Sequence, residues 1–207
     1  MNLNEISLKT TIDDLGSPQA ILGRYGWEVL GTGLNAAVAQ HPYKPYVLKL
    51  FESDLGYLKF IQFIEANKGN KHLPVINKTV KKIPGTRLSY VRMERLTPIS
   101  ENDLWKRYLA DMTYLGLLAL KNDLLIAFST QGNIIDALNA KNINTNILRK
   151  VKFDDVWTAF NSRPSASWMD ISEKLVDFAD SNGIAMLDIH SQNFMLRSNT
   201  LVITDPF

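Results

Sequence analysis

The chain has 207 residues, 45% hydrophobic and 21% charged, and Lys+Arg 23 against Asp+Glu 21 leaves a net charge of +2. That balance excludes wholesale disorder, more than one ordinary domain or two small lobes, and the basic stripe of a dedicated nucleic-acid binder. Cysteine is absent, which excludes disulfides, thiolate metal sites and cysteine nucleophiles and fits a reducing cytoplasm.

The first residues, MNLNEISLKTTIDDLG, lack the apolar core of a targeting segment and carry Glu5, Asp13 and Asp14. From Tyr25 to about Leu96 the pattern is strand-like. The runs WEVLGTG, AAVAQ, YVLKLF and LSYVRMERL are short and bounded by Gly, Pro or Asn. A helical stretch from Asp54 to Asn67 interrupts them, with Leu58, Ile61 and Glu65 along one face and Tyr57, Phe60 and Ile64 along the next. Lys78, Lys81 and Lys82, near Arg87, read as the solvated face of a hairpin.

Beyond Ser100 the period is helical. Ser100 and Asp103 form a capping-box-like start, followed by Leu104, Tyr108, Met112, Leu115 and Leu118 at helical spacing. The most apolar stretch, YLGLLALKNDLLIAF, is interrupted by Lys121, Asn122 and Asp123, so no membrane span is expected. Residues 129–150 are rich in Asn and Thr and read as exposed loop and short helix. A second helix is expected from Trp168 to Asn182, with Ser167 as N-cap, Ile171, Leu175 and Phe178 as its stripe and Gly183 as its stop. Two short strands, FMLR and LVIT, joined through Ser198-Asn199, close the chain. The whole reads as α+β: a β-rich part with one helix over residues 1–97, and a helical part ending in a hairpin over residues 98–207.

Three features carry chemistry. Gly31-Thr32-Gly33 lies between two strands, where paired glycines let a backbone approach phosphate oxygens; taken alone, such a pair is more often a plain turn. Lys49 sits amid the apolar run Tyr46–Phe51, a costly place for an ammonium without an anionic partner; taken alone, it reads as a solvent-facing lysine on an edge strand. Its position one strand after the glycines favours a phosphate-holding role, with Glu65, 16 residues later, as the ion-pair candidate and Glu52 and Asp54 competing. Asp188 and Asn193 are 5 residues apart, and Asp205 ends an apolar strand 12 residues further on. A carboxylate of this kind orients an acceptor hydroxyl and takes its proton, while an amide oxygen and a second carboxylate are hard ligands suited to Mg2+. The D-x-x-x-x-N spacing and the terminal Asp match the kinase catalytic loop and metal site.

With these residues in order, the chain resembles the protein-kinase superfamily, and more closely the early serine/threonine kinases of podovirus-type T-odd bacteriophages. The closer resemblance rests on Gly31-Thr32-Gly33 with Ala36-Ala37, on His41-Pro42 and Pro45 before Val47-Leu48-Lys49, on Asp188-Ile189-His190-Ser191 with Asn193, and on Ile203-Thr204-Asp205-Pro206. Val91–Leu96 is similar to the kinase hinge strand, where backbone meets adenine. The resemblance implies a compact two-lobed kinase-like fold with ATP and Mg2+ as cofactors. Gly31, Gly33, Val38, Lys49, Glu65, Met93, Glu94 and Leu96 would serve the nucleotide, Asp188 would be the base, and Asn193 and Asp205 would hold metal. The implied partner is a host protein in the bacterial cytoplasm.

The chain departs from the family at three places. Met186-Leu187 stands where His-Arg is usual, so control through a phosphorylated activation loop lacks its cationic anchor. His190 stands where many protein kinases have Lys, as in small-molecule phosphotransferases, and is expected at the γ-phosphate. Asp205-Pro206-Phe207 replaces Asp-Phe-Gly and closes the sequence, so acceptor docking is expected to use the region between Ser100 and Asn182. Two other readings follow: a pseudokinase that binds and inhibits a host factor, and a small-molecule kinase. His41 and His72 read as turn and loop residues, no HxxH spacing supports zinc, and Trp105, Trp157 and Trp168 read as packing aromatics.

Overall fold

A computed structural model of the chain describes residues 22–32, 36–52, 54–83, 87–119, 164–184 and 187–207, with backbone only at 78, 105 and 117. Gly33, Met186, Trp157 and the segments 1–21 and 129–150, with Arg149, Lys150 and Lys152, lie outside these residues. The chain divides into two compact units. One runs to Gly69 and resumes over Pro74–Leu96; the other joins Asn70–Leu73 to Thr97–Phe207.

The first unit is a five-stranded sheet of order β1-β2-β3-β5-β4. Its strands are β1 (Glu28–Thr32), β2 (Ala36–Gln40), β3 (Tyr46–Glu52), β4 (Ile76–Lys82) and β5 (Leu88–Glu94), every neighbouring pair antiparallel. The β2–β3 connection turns through His41-Pro42, as the sequence suggests, and Lys44 N–H donates to the His41 carbonyl at 3.1 Å. Arg95 braces this turn through Nη2, which donates to the His41 carbonyl at 3.0 Å and the Lys44 carbonyl at 3.2 Å.

Register decides what each face carries, because directly opposed residues share a face. Ala39 opposes Leu48, and Leu50 opposes both Ala37 and Tyr90. On this face Leu22, Trp27, Ala39, Leu48, Leu50, Ile83 and Tyr90 form a buried cluster. The other face carries Lys49, Val47 and Phe51, and helix α1 (Leu55–Ala66) lies against it, with the Tyr57 ring 5.2 Å from that of Phe51. Asp54 starts α1 as its N-cap, Oδ1 accepting from Tyr57 N–H at 2.9 Å. The lysine-bearing segment is a hairpin strand as expected: β4 pairs with β5 at the sheet's edge, with a register irregularity between Asn77 and Lys81.

The second unit combines α2 (Glu101–Ala119), α3 (Ala166–Ser181), a single 3-10 turn (Ser191–Asn193) and a small sheet of order β6-β7-β8. Its strands are β6 (Thr97–Pro98), β7 (Phe194–Arg197) and β8 (Thr200–Ile203). The Ser100–Asp103 start of α2 is present: Ser100 Oγ accepts from Asp103 N–H at 3.1 Å and donates to its carboxylate at 2.7 Å. Leu104, Met112 and Leu115 are buried as the period requires. Within α2, Tyr108 is non-helical, and its hydroxyl donates to the Asn199 carbonyl at 2.8 Å, gripping the β7–β8 turn.

One expectation is corrected. The N-cap of α3 is Ser165, not Ser167: Ser165 has extended backbone and its Oγ accepts from Trp168 N–H at 3.2 Å. Ser167 is already inside the first turn. The far end closes as expected on Gly183, at φ +64°. Ile184 N–H reaches the Ala179 carbonyl at 2.9 Å and Gly183 N–H the Asp180 carbonyl at 3.2 Å, the paired bonds of a Schellman ending. Trp168 is fully buried, so its reading as a packing aromatic holds.

Candidate active site

In the first unit the residues expected to serve a nucleotide line up by register. Gly31 opposes Val38, Val38 opposes Lys49, and Lys49 opposes Val91, so these four form one row across β1, β2, β3 and β5 on a single face. The pairing of β1 with β2 shifts between Val29 and Gly31, and a Cβ built on Gly31 meets nothing within 4 Å. Open space therefore lies above the backbone at the start of the glycine loop. Met93 shares this face, opposing Val47, and is buried.

The edge-strand reading of Lys49 does not survive. β3 is the central strand of the sheet, and Lys49 is 5% exposed. Its ammonium lies 3.7 Å from the centroid of the Tyr57 ring, a cation–π contact from the first turn of α1. Glu65 sits two turns further along the same helix, near its end. The two competing carboxylates have other work: Asp54 caps α1, and Glu52 lies 3.8 Å from Arg87. Tyr57, which the helix period placed only on an apolar face, is thus the ring against which the Lys49 ammonium rests. Glu94, in the hinge-like segment, accepts from Val75 N–H through Oε1 at 2.6 Å, and Leu96 is the last residue of this unit.

In the second unit the loop around Asp188 is fixed by its own backbone. Asp188 N–H donates to the Pro206 carbonyl at 2.8 Å, and the Asp188 carbonyl accepts from Asn193 Nδ2 at 2.8 Å. Thr204 N–H donates to the Asn193 carbonyl at 2.8 Å. These bonds draw Asp188, Asn193 and the segment carrying Asp205 together. The ring of Phe207 stacks on Phe178 of α3, with centroids 5.9 Å apart and planes 13° apart. The carboxylate of Asp188 stays exposed and meets His190 Nε2 at 3.2 Å. His190 is the N-cap of the 3-10 turn, its Nδ1 accepting from Gln192 N–H at 3.2 Å.

The donor set suits a hard cation. Because Asn193 spends its amide N–H on Asp188, its amide oxygen is the end left to face a ligand, and Asp205 adds a carboxylate whose Oδ1 is withdrawn from solvent. Among the described residues, no three His, Asp or Glu side chains converge as a ready-made metal site. Mg2+ ordinarily takes only one or two carboxylates from the protein and the rest from phosphates and water, so one carboxylate and one amide oxygen fit such an ion.

His72, expected in a loop after the helix, is deeply embedded. It is buried at 5% exposure, with Nδ1 2.8 Å from the Leu201 carbonyl and Nε2 3.0 Å from Ser167 Oγ. Its own carbonyl accepts from Ile203 N–H at 2.9 Å, and Trp168 packs edge-on to the ring at 5.1 Å. Burial holds its pKa below the usual histidine value.

Among the described residues, no helix is long and apolar enough to cross a membrane. No protein-family profile matches the chain, and no curated protein sequence matches it. Solved structures give low similarities. A thermostable mutant of the aminoglycoside phosphotransferase APH(4)-Ia in apo form is 14% identical at a TM-score of 0.40, over 89% of this chain and 69% of that one. APH(4)-Ia itself is 14% identical at 0.39, over 86% and 65%. A streptomycin-ATP ternary complex of APH(2'')-IIa is 15% identical at 0.36, over 92% and 71%. The chain thus spans about two thirds of the length of these proteins.

Proposed function

We propose that the chain is an ATP- and Mg2+-dependent phosphotransferase of kinase-like fold whose acceptor is a serine or threonine hydroxyl of a protein. The observation that carries this reading is the Asp188–Asn193 loop. Its backbone is tied to Pro206 and its Asn193 amide is oriented by the Asp188 carbonyl. A structural turn needs neither the exposed carboxylate of Asp188 nor the buried amide of Asn193.

The roles follow from the chemistry. The acceptor oxygen attacks the γ-phosphorus, its proton passes to the Asp188 carboxylate, and ADP leaves. Lys49 holds phosphate oxygens from a desolvated position, where an ammonium attracts them more strongly than in water. Asn193 and Asp205 would hold the metal, which when bound would neutralise phosphate charge. Gly31, Val38 and Met93 offer one continuous face to the nucleotide, with Glu94 and Leu96 following in the hinge-like segment. The likeness of its motifs to those of early phage kinases supports a host protein as the acceptor. A second reading, a small-molecule acceptor, is favoured by His190, which stands where many protein kinases have Lys.

The test is radiolabelled ATP with Mg2+, the protein and a bacterial lysate, comparing wild type with Asp188→Ala. Labelled protein bands that vanish in the variant are expected. Bands that persist would remove Asp188 as the base. Label confined to low-mass compounds would favour the second reading, and nucleotide binding without any label would make the chain a binding protein.

A further inference from the structure

The structure assigns to His190 a positioning role: its Nε2–H holds one oxygen of Asp188, so that the other oxygen is presented to the acceptor hydroxyl. This rests on the phosphotransfer reading and changes the part expected of His190 within it. A histidine that contacts a γ-phosphate must offer that phosphate a ring N–H. Here both nitrogens are engaged elsewhere, Nδ1 by Gln192 N–H at 3.2 Å and Nε2 by the Asp188 carboxylate at 3.2 Å.

The two contacts are linked. A backbone N–H can only donate, so Nδ1 must be the lone-pair nitrogen and the ring proton must sit on Nε2. The 3-10 turn therefore sets the tautomer, and the tautomer supplies the donor that faces Asp188. The backbone of Asp188 is fixed through Pro206 and Asn193, but those bonds leave χ1 and χ2 of the side chain undetermined. The bond from His190 restricts them. The side chains of His190 and Asp188 are 35% and 58% exposed, and a pair this open adds little to stability. What it does fix is direction, and phosphoryl transfer depends mainly on positioning.

Two substitutions separate the two ends of the ring. His190→Asn keeps an acceptor where Nδ1 was, so the 3-10 turn remains capped, but it cannot reach Asp188. His190→Gln places an amide N–H close to where Nε2 was. In the lysate labelling assay with ATP varied, His190→Asn is expected to lower the maximal rate roughly 10- to 100-fold, the equivalent of one hydrogen bond to a charged group. The KM for ATP should stay within about twofold, since no nucleotide contact is lost. His190→Gln should recover part of the rate. A raised KM for ATP at unchanged maximal rate would return His190 to the phosphate and overturn the proposal, as would an unchanged rate in both variants.

A second readout does not depend on turnover. The chain has 3 histidines, so nitrogen NMR of the labelled full-length protein can resolve each ring. His190 is expected as the Nε2–H tautomer and His72 as the opposite one, since His72 Nδ1 faces a carbonyl. Asp188→Ala should shift the His190 Nε2 signal. A mixed or Nδ1–H tautomer for His190 would overturn the proposal. A wild type that labels nothing removes the phosphotransfer reading and this role with it, whereas an active wild type indifferent to His190→Asn removes this role alone.

Discussion

Lys49 shows how much a single side chain can reveal about a fold. In β3 the residues Val47, Leu48, Leu50 and Phe51 are all buried, and so is the lysine between them. An ammonium in such a place costs several kcal/mol unless it is partnered, and here the Tyr57 ring supplies one favourable contact. Lys49→Met is expected to abolish label transfer while the chain still shows a cooperative thermal transition; a collapse of the fold would show that the charge is structural. His72 gives a pH dependence. Its folded pKa lies below the unfolded value, so the unfolded chain binds the extra proton. The stability it contributes is fully present above about pH 6.5, the unfolded pKa, and is lost as the pH falls towards and through the folded value. Denaturant titrations between neutral and mildly acidic pH should show this loss, and His72→Gln should flatten it. Lys49 was legible in the sequence because an apolar strand makes a lysine conspicuous. His72 was not, since its partner Leu201 lies 129 residues away.

At the scale of elements, α3 separates what a sequence can say from what it cannot. Its stop was legible, because a helix ending in the left-handed region strongly favours glycine. Gly183→Ala at φ +64° is expected to cost about 1 kcal/mol in chemical denaturation. Its start was not. Ser165 and Ser167 are both good capping residues, and only backbone geometry decides which one lies outside the helix. Ser165→Ala should cost about 1 kcal/mol through the lost bond to Trp168 N–H. β4 was legible only as a charged hairpin face, since its sequence INKTVKK alternates weakly and its pairing with β5 is irregular. The 3-10 turn at Ser191–Asn193 carries no periodic signal at all, yet it orients His190 and Asn193.

Across the whole molecule, the spacing of Asp188, Asn193 and Asp205 was readable from residue type, whereas the backbone bonds that draw their segments together leave no trace in residue type. If MgATP binds the native chain and not the unfolded one, it stabilises by mass action, by about 2.7 kcal/mol at a concentration a hundredfold above Kd. Thermal scans should therefore show a midpoint rising with MgATP, and Asp205→Asn should remove the Mg2+-dependent part of that rise.

The four residues Asn70–Leu73 leave the sheet-bearing unit to join the other one, and the chain returns to the sheet at Pro74. There Arg197 donates to the Lys71 and Leu73 carbonyls at 2.8 and 2.9 Å, while His72 engages Leu201, Ile203 and Ser167. Scission between Leu96 and Thr97 would thus not yield two autonomous halves. A recombinant fragment starting at Thr97 would have an uncovered β8 edge and an unfilled socket beside Trp168. Its recovery would call for complementation in trans by a piece bearing His72.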